Sequence, residues 1–170
     1  MPDWPRSSTT DLVAFYGAPD ADADGEADAR WERDNIIAIP APWTMVAAWD
    51  PKLPIRKIRV HWRVAESLQR VFASILSGYG GSTDRIIAAR LHLYGGAYNF
   101  RLIRGGSSLS MHAYGAAIDL DPERNGLGKP WKPDSGMMAR PVVEAFKAEG
   151  WVWGGDWENR PDAMHFQAAR

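Results

Sequence analysis

The sequence predicts a single α+β domain, on three observations. Its 170 residues fit one domain that can bury a sizeable core. Its composition, 45% hydrophobic and 24% charged, is that of a globular protein. Helical and strand-like segments alternate without the regular β-α-β rhythm of a parallel sheet.

Two segments have helical spacing. The first is HWRVAESLQRVFASILSGYG, in which apolar residues recur every three or four positions from Val64 to Ile75. The second is ARPVVEAFKAEGW, with Pro141 near its first turn and Gly150 past its end. These segments are the predicted helices.

The remaining segments are shorter. We predict a strand leading to a loop in AYNFRLIRGG, a buried strand in GAAIDLD and a last strand in AMHFQ. The two prolines of IIAIPAPWTMVAAW predict a short extended piece. The acidic stretch APDADADGEADAR predicts a mobile surface loop.

Charge and cysteine content exclude several kinds of partner and site. A net charge of -1 gives no global attraction to nucleic acid or to anionic lipid. No apolar run is long enough to span a membrane, and the N-terminus lacks the pattern of a signal peptide. Because there is no cysteine, any metal must be held by His, Asp or Glu.

A metal site is indicated by His112 and Asp119. Asp119 ends the apolar run GAAI, and a buried carboxylate is costly unless it is paired or holds a metal. Catalytic zinc takes three protein ligands and keeps one open position, and His165 in RPDAMHFQ is the natural third ligand. Asp162 precedes it by three residues and could accept a proton from water without being a ligand.

Other interpretations of these residues stay open. Asp119 could pair with Arg101 or Arg104, and Asp121 is a rival ligand or a turn cap. A lone buried histidine is more often a hydrogen-bonded core residue. Manganese, cobalt or nickel could replace zinc in vitro, whereas magnesium suits two imidazoles poorly.

Further polar and aromatic residues have simpler expected roles. We expect His61 to be a helix cap or a surface residue, and His92 to pack on a strand. Trp157 is a candidate wall of a peptide groove, while the neighbouring tryptophans pack in the core. Asp156 could accept a hydrogen bond from a ligand histidine or cap a turn.

Two motifs resemble a known family. SMHAYGAAIDLD resembles the Ser-x-His-x-x-Gly-x-Ala-x-Asp signature of the zinc D-alanyl-D-alanine peptidases, which include vancomycin-resistance D,D-peptidases and phage L-alanyl-D-glutamate endolysins. GWVWGGDWENRPDAMHFQ is similar to the partner motif of the endolysin branch. The resemblance covers about residues 92–167. It implies the α+β fold of the hedgehog domain, with zinc on a small antiparallel sheet and flanking helices.

The resemblance also implies roles for individual residues. It makes His112, Asp119 and His165 the zinc ligands. It makes Asp162 the general base and places Arg101 near the substrate carbonyl or carboxylate.

Three further positions follow from the same resemblance. Arg104 competes with Arg101 for the substrate, and Ser110 positions the peptide or braces its loop. Some members carry a histidine where this chain has Ala163, so a transition-state hydrogen bond could be missing here.

The implied function is an endolysin-like L-alanyl-D-glutamate endopeptidase acting on peptidoglycan stem peptides. The alternatives are a D-alanyl-D-alanine carboxypeptidase, and a non-catalytic cell-wall-binding module or phage particle component. We expect residues 1–40 to be an N-terminal extension with the acidic loop, and 41–170 to be the zinc peptidase domain. We also expect a phage or prophage monomer that stays cytoplasmic until it is released to the cell wall.

Overall fold

One six-stranded sheet lies at the centre of the computed structural model, which describes residues 2–170. The strands are β1 Ile36–Ala47, β2 Asp50–His61, β3 Leu93–Gly96, β4 Ala117–Leu120, β5 Val152–Trp153 and β6 His165–Gln167. The helices are α1 Thr9–Tyr16, α2 Ala29–Asn35, α3 Trp62–Gly78, α4 Thr83–Ala88, α5 Pro122–Asn125 and α6 Arg140–Ala148. The predicted single α+β domain is confirmed.

The sheet is mixed, whereas the resemblance implied an antiparallel one. Its strands lie in the order β2–β1–β3–β4–β6–β5, and only β1 and β3 pair in parallel. Between these two strands the chain runs through β2, α3 and α4. Such a long connection returns the chain to the same end of the sheet, which is what parallel pairing needs.

Strand β1 is longer than the sequence predicts. It pairs with β2 on both sides of an irregularity between Pro40 and Met45. A proline has no N–H to donate, so prolines are tolerated in a strand only where the ladder is interrupted or at an edge. The two prolines therefore interrupt β1 without ending it.

The strand predicted in AYNFRLIRGG is wrong. The chain leaves the sheet after Gly96, and residues 97–106 form a loop with one bridge between Leu102 and Leu109. Leu102 and Ile103 are about half exposed. These two apolar residues therefore lie on the surface of a loop and do not form the buried face of a strand.

Helix α3 confirms the first predicted helix. Val64, Leu68, Val71 and Ile75 are all buried, so the apolar spacing marks one face of the helix. This face packs against α6 and β1. His61 begins the helix by accepting a hydrogen bond from Arg63 N–H, which confirms its role as a cap.

Strand β6 separates the core from the candidate site. Phe166 stacks on Phe146 of α6, with ring centroids 3.9 Å apart. Trp151 and Trp153 are buried in the same core, as expected of these tryptophans. Since neighbouring strand residues face opposite sides, His165 faces away from this core.

The two ends of the chain meet. Ser7 N–H donates to Arg170 O at 2.7 Å, and Arg170 N–H donates to Pro5 O at 2.9 Å. The Tyr16 hydroxyl donates to Ala168 O at 2.6 Å. Strand β1 crosses residue 40, and the division into 1–40 and 41–170 stays a prediction.

The acidic stretch contains no helix or strand between residues 17 and 28. The Asp20 carboxylate accepts hydrogen bonds from Asp24 N–H and Gly25 N–H within it. None of the helices within residues 2–170 has the length and apolar character needed to cross a bilayer.

Candidate active site and metal centre

Strands β4 and β6 place Asp119 and His165 directly opposite each other. The two residues are cross-strand partners in the antiparallel pairing. Asp119 Oδ1 lies 2.9 Å from His165 Nδ1, and Asp119 Oδ2 lies 3.2 Å from His112 Nε2. All three side chains are buried. The structure thus brings together the three predicted metal ligands, of which His165 lies far along the sequence from the other two.

A tight turn brings His112 to this point. Gly115 has φ +65°, and a Cβ at this position would lie 2.7 Å from His61 N. A side chain there would be both strained and in collision with strand β2. This is the physical reason for the glycine of the first motif.

Ser110 braces the same turn. Its hydroxyl accepts a hydrogen bond from His112 N–H at 3.3 Å, and its N–H donates to Arg101 O at 3.0 Å. Ser110 is buried yet lines the groove described below. Its position fits the bracing role that was one of the two expectations.

Each histidine has its other ring nitrogen held by a fixed partner. His112 Nδ1 lies 2.6 Å from Ala97 O, so it donates to a carbonyl and leaves Nε2 facing Asp119. His165 Nε2 lies 3.1 Å from Gln167 Oε1, while its Nδ1 faces Asp119. Sequence reasoning proposed neither partner. The i+2 spacing of Gln167 on a strand was a usable signal.

Charge in the cluster is stabilised by mutual contact. Burial alone would raise the pKa of Asp119, but its contacts with His112 and His165 lower that pKa below its usual range. Burial opposes a charge on His165, yet the contact with Asp119 raises the pKa of His165 above its ordinary value. The Asp119 carboxylate is therefore ionised in the folded protein near neutral pH.

The three residues fit a divalent metal. Their ligand atoms lie within 4.8 Å of one another. Asp119 Oδ1 is 2.9 Å from His165 Nδ1, and Asp119 Oδ2 is 3.2 Å from His112 Nε2. Both distances are close to the roughly 3.3 Å expected between two ligand atoms of a tetrahedral zinc ion. His112 Nε2 is buried and lies 3.2 Å from Asp119 Oδ2, but within residues 2–170 it makes no hydrogen bond of acceptable geometry. An orphaned buried nitrogen aimed at a carboxylate is explained if it binds a cation.

Asp162 lies in the loop before β6, and Gly154 positions it. Asp162 N–H donates to Gly154 O at 2.8 Å. A Cβ on Gly154 would lie 2.5 Å from Asp162 O, so only glycine allows this approach. This explains the first glycine of the GGDW motif.

The Asp162 carboxylate is chemically unusual. The residue is buried, and its Oδ1 has no hydrogen-bond partner among the described residues. Burial raises the pKa of Asp162 to about 6, and the charge of Asp119 adds to the shift. Such a carboxylate is ionised at neutral pH and easily protonated, as a general base must be.

A groove of about 990 Å³ contains the cluster, Asp162 and all the predicted substrate residues. Trp157 forms one wall, with its ring centroid 5.4 Å from that of His165. Arg101 and Arg104 both line the groove and are exposed, so the structure does not choose between them. Arg160 lines it too, and its guanidinium donates to Arg104 O at 2.8 Å. Sequence reasoning missed Arg160.

Two rival candidates are not part of the cluster. Strand β4 ends at Leu120, and Asp121 adopts a left-handed conformation in which its carboxylate accepts from Arg90 and Asn125. Asp121 therefore lies outside the cluster, and its side chain makes no capping hydrogen bond to helix α5. Asp156 pairs with Lys147 at 2.7 Å, so it does not orient a ligand histidine.

The position that is histidine in some members of the family that the motifs resemble lies in the core. Ala163 is fully buried, and its carbonyl accepts a hydrogen bond from Trp153 Nε1 at 2.9 Å. It is not among the residues that line the groove.

A family model described as D-alanyl-D-alanine carboxypeptidase matches residues 104–168. The matched segment contains the three candidate ligands and Asp162, although it is less than half of the chain. The match supports the zinc D,D-peptidase family. It thereby supports a metallopeptidase activity and a peptidoglycan peptide as the class of substrate.

The D,D-peptidase match does not reach Arg101 or the strands β1 and β2, which lie outside residues 104–168. No solved structure matches the chain.

Proposed function

We propose that this protein is a zinc-dependent peptidase that cleaves the L-alanyl-D-glutamate bond of bacterial peptidoglycan stem peptides. One observation carries the proposal. The buried His112–Asp119–His165 cluster and the partnerless carboxylate of Asp162 line the same open groove. The similarity of GWVWGGDWENRPDAMHFQ to endolysins supports the choice of bond.

The donor set favours zinc. Two imidazoles and one carboxylate suit zinc, whereas magnesium prefers an all-oxygen shell. A zinc ion held by these residues would polarise the substrate carbonyl and lower the pKa of water. His112 would contribute Nε2 and His165 would contribute Nδ1, since their other nitrogens are engaged.

Asp162 would move the proton. Its Oδ1 would accept a proton from the attacking water and then deliver it to the leaving amine. A pKa of about 6 lets the same carboxylate act as base and then as acid near neutral pH.

Three arginines would bind the acidic part of a stem peptide. Arg101, Arg104 and Arg160 line the groove, and within residues 2–170 none of their guanidinium groups forms an ion pair. A guanidinium binds a carboxylate through two parallel hydrogen bonds. Stem peptides carry free carboxylates, and Trp157 would pack against the chain beside them.

The test is a digest of purified peptidoglycan by the zinc-loaded protein. We expect new amino termini of the glutamate residue, measured by end-group labelling and mass spectrometry. A chelator should abolish their release, and added zinc should restore it. Tight binding to cell walls with no cleavage would contradict the proposal and favour a binding module.

A second candidate is a D-alanyl-D-alanine carboxypeptidase. The description of the matching family model favours it. The same digest distinguishes the two, because a carboxypeptidase releases free D-alanine and creates no new amino terminus on the glutamate.

A further inference from the structure

A chain of hydrogen bonds connects the candidate ligand His165 to the N-terminal segment. His165 Nε2 lies 3.1 Å from Gln167 Oε1, and Gln167 Nε2 donates to the Ser7 hydroxyl at 3.2 Å. The amide nitrogen of the Gln167 side chain lies 3.5 Å from Ala169 O, and a carbonyl oxygen can only accept a hydrogen bond. This neighbour favours the amide orientation in which the Gln167 oxygen faces the imidazole.

The strand geometry explains the first contact. His165 and Gln167 are two residues apart on β6, so their side chains lie on the same face. Both are buried, with 6% and 8% of their surface exposed. An imidazole with one nitrogen facing Asp119 must therefore direct its other nitrogen along the strand towards Gln167.

The backbone holds the outer end of the chain. Ser7 N–H donates to Arg170 O and Arg170 N–H donates to Pro5 O, so residues 5–7 lie alongside the C-terminal residues. Ser7 itself is exposed but lines the groove. Its hydroxyl is thus placed by backbone contacts and not by its own side-chain packing.

We propose that Gln167 is a positioning residue for His165, and that Ser7 holds Gln167 in place. The contact of the Gln167 oxygen with Nε2 fixes the orientation of the His165 ring, so that Nδ1 is directed at the candidate metal site beside Asp119. The metal affinity of the site then depends on a segment more than 150 positions away in the sequence. This inference rests on the proposed function only in taking His165 as a metal ligand.

The expected loss of metal affinity follows from other proteins in which a metal-bound histidine loses its hydrogen-bond partner. Losing such a partner weakens metal binding by about 10- to 100-fold. Gln167→Met keeps the length of the side chain but removes the acceptor, so we expect this loss. Gln167→Glu keeps an acceptor and should bind zinc within a few-fold of wild type. Ser7→Ala should have a smaller effect, about three- to tenfold, because Gln167 keeps its contact with Ala169 O.

The experiment measures zinc affinity of the full chain by competition with a chromogenic chelator. Ser67→Ala is the matched control for Ser7→Ala, because Ser67 makes its hydrogen bonds with Glu149 and Trp151 away from the groove. The control should leave zinc affinity unchanged.

The outcomes separate the two proposals. If wild type binds no zinc, the proposed function fails with this inference. If wild type binds zinc and folded Gln167→Met binds it equally well, only this inference is overturned. A folded Gln167→Glu that binds as weakly as Gln167→Met would also overturn it. Should Gln167→Met fail to fold, the glutamate and Ser7→Ala variants decide the question.

Discussion

At the scale of single residues, burial determines what Asp162 can do. The same carboxyl group on the surface would titrate near pH 4 and hold water tightly. In the groove it has a partnerless Oδ1 and a pKa of about 6. The negative charge of Asp119 adds to this shift, and no Lys, Arg or His forms an ion pair with Asp162 within the described residues. The proposed general base therefore differs from a structural aspartate in its environment, while the functional group is the same.

Replacing Asp162 by asparagine tests this role. Asp162→Asn keeps the size of the side chain but removes the proton acceptor, so turnover should fall by about 10²- to 10⁴-fold. Zinc content should stay near one per chain, because the three ligands are untouched. Cleavage of peptidoglycan and metal analysis measure the two quantities.

The chain offers a matched control in Asp156→Asn. Asp156 is half exposed, pairs with Lys147 and lies outside the groove. Its replacement should leave turnover within about twofold of wild type, as expected of a surface ion pair. Equal losses in both variants would show that a general change of charge, and not the proton acceptor, was measured.

A site residue could be predicted from the sequence where it acts through its side chain, and could not where it acts through its backbone. His112, Asp119 and His165 could be proposed as ligands because side chains of the right chemistry stand in a recognisable spacing, and the structure brings them together. The partner of His112 is the carbonyl of Ala97, which any residue carries. No sequence pattern marks a backbone carbonyl, so this contact could come only from the fold.

At the scale of elements, the short buried strands β4 and β6 and an extended segment at β1 were predictable, whereas β2, β3 and β5 were not. GAAIDLD and AMHFQ are brief apolar runs, and they form β4 and β6. Strand β2 escaped prediction because most of its residues are exposed and it carries two prolines. Its stability comes from pairing with β1 at the edge of the sheet, which local sequence does not show.

The loop between β5 and β6 provides an element-scale prediction. In Gly154→Ala the new methyl group would meet backbone and Cβ atoms of Asp162 at 2.5 and 3.1 Å. Backbone atoms cannot rotate away, so the loop must shift and move Asp162 relative to the ligands. We expect turnover to fall by at least tenfold and unfolding free energy to fall by about 1–3 kcal/mol.

A second glycine serves as the comparison. A Cβ on Gly78, the last residue of α3, would have nothing within 4 Å. Gly78→Ala should leave turnover unchanged and keep or raise stability, since alanine is the better helix former. Urea unfolding and peptide release measure both variants. Normal turnover in Gly154→Ala would contradict the positioning role of this loop.

At the scale of the whole molecule, the site depends on parts of the chain that the family match does not reach. The match begins at residue 104, whereas the turn that carries His112 packs on β2 through Gly115. His61 N–H donates to Gly115 O at 2.9 Å. The motifs contain the three candidate ligands, and the N-terminal half contributes the structure on which the turn of His112 packs.

His61 is the centre of this frame and should make stability depend on pH. Its ring is fully buried, with Nε2 3.1 Å from Tyr16 O and Nδ1 accepting from Arg63 N–H. Burial lowers the pKa of His61 from 6.5 to about 4. Between these values the unfolded chain binds a proton that the folded protein does not. The contribution of neutral His61 to the free energy of unfolding is therefore complete above pH 6.5 and is lost as pH falls towards 4.

Metal-free wild type and His61→Asn measure the effect. Asparagine can still cap α3 but does not titrate in this range. Between pH 7.5 and 4.5 the wild type should lose about 2.5 kcal/mol of unfolding free energy more than the variant does. Urea unfolding at both pH values gives this double difference, which cancels the opposing titration of Asp162 shared by the two proteins. An equal loss in both would mean that His61 titrates normally in the folded state.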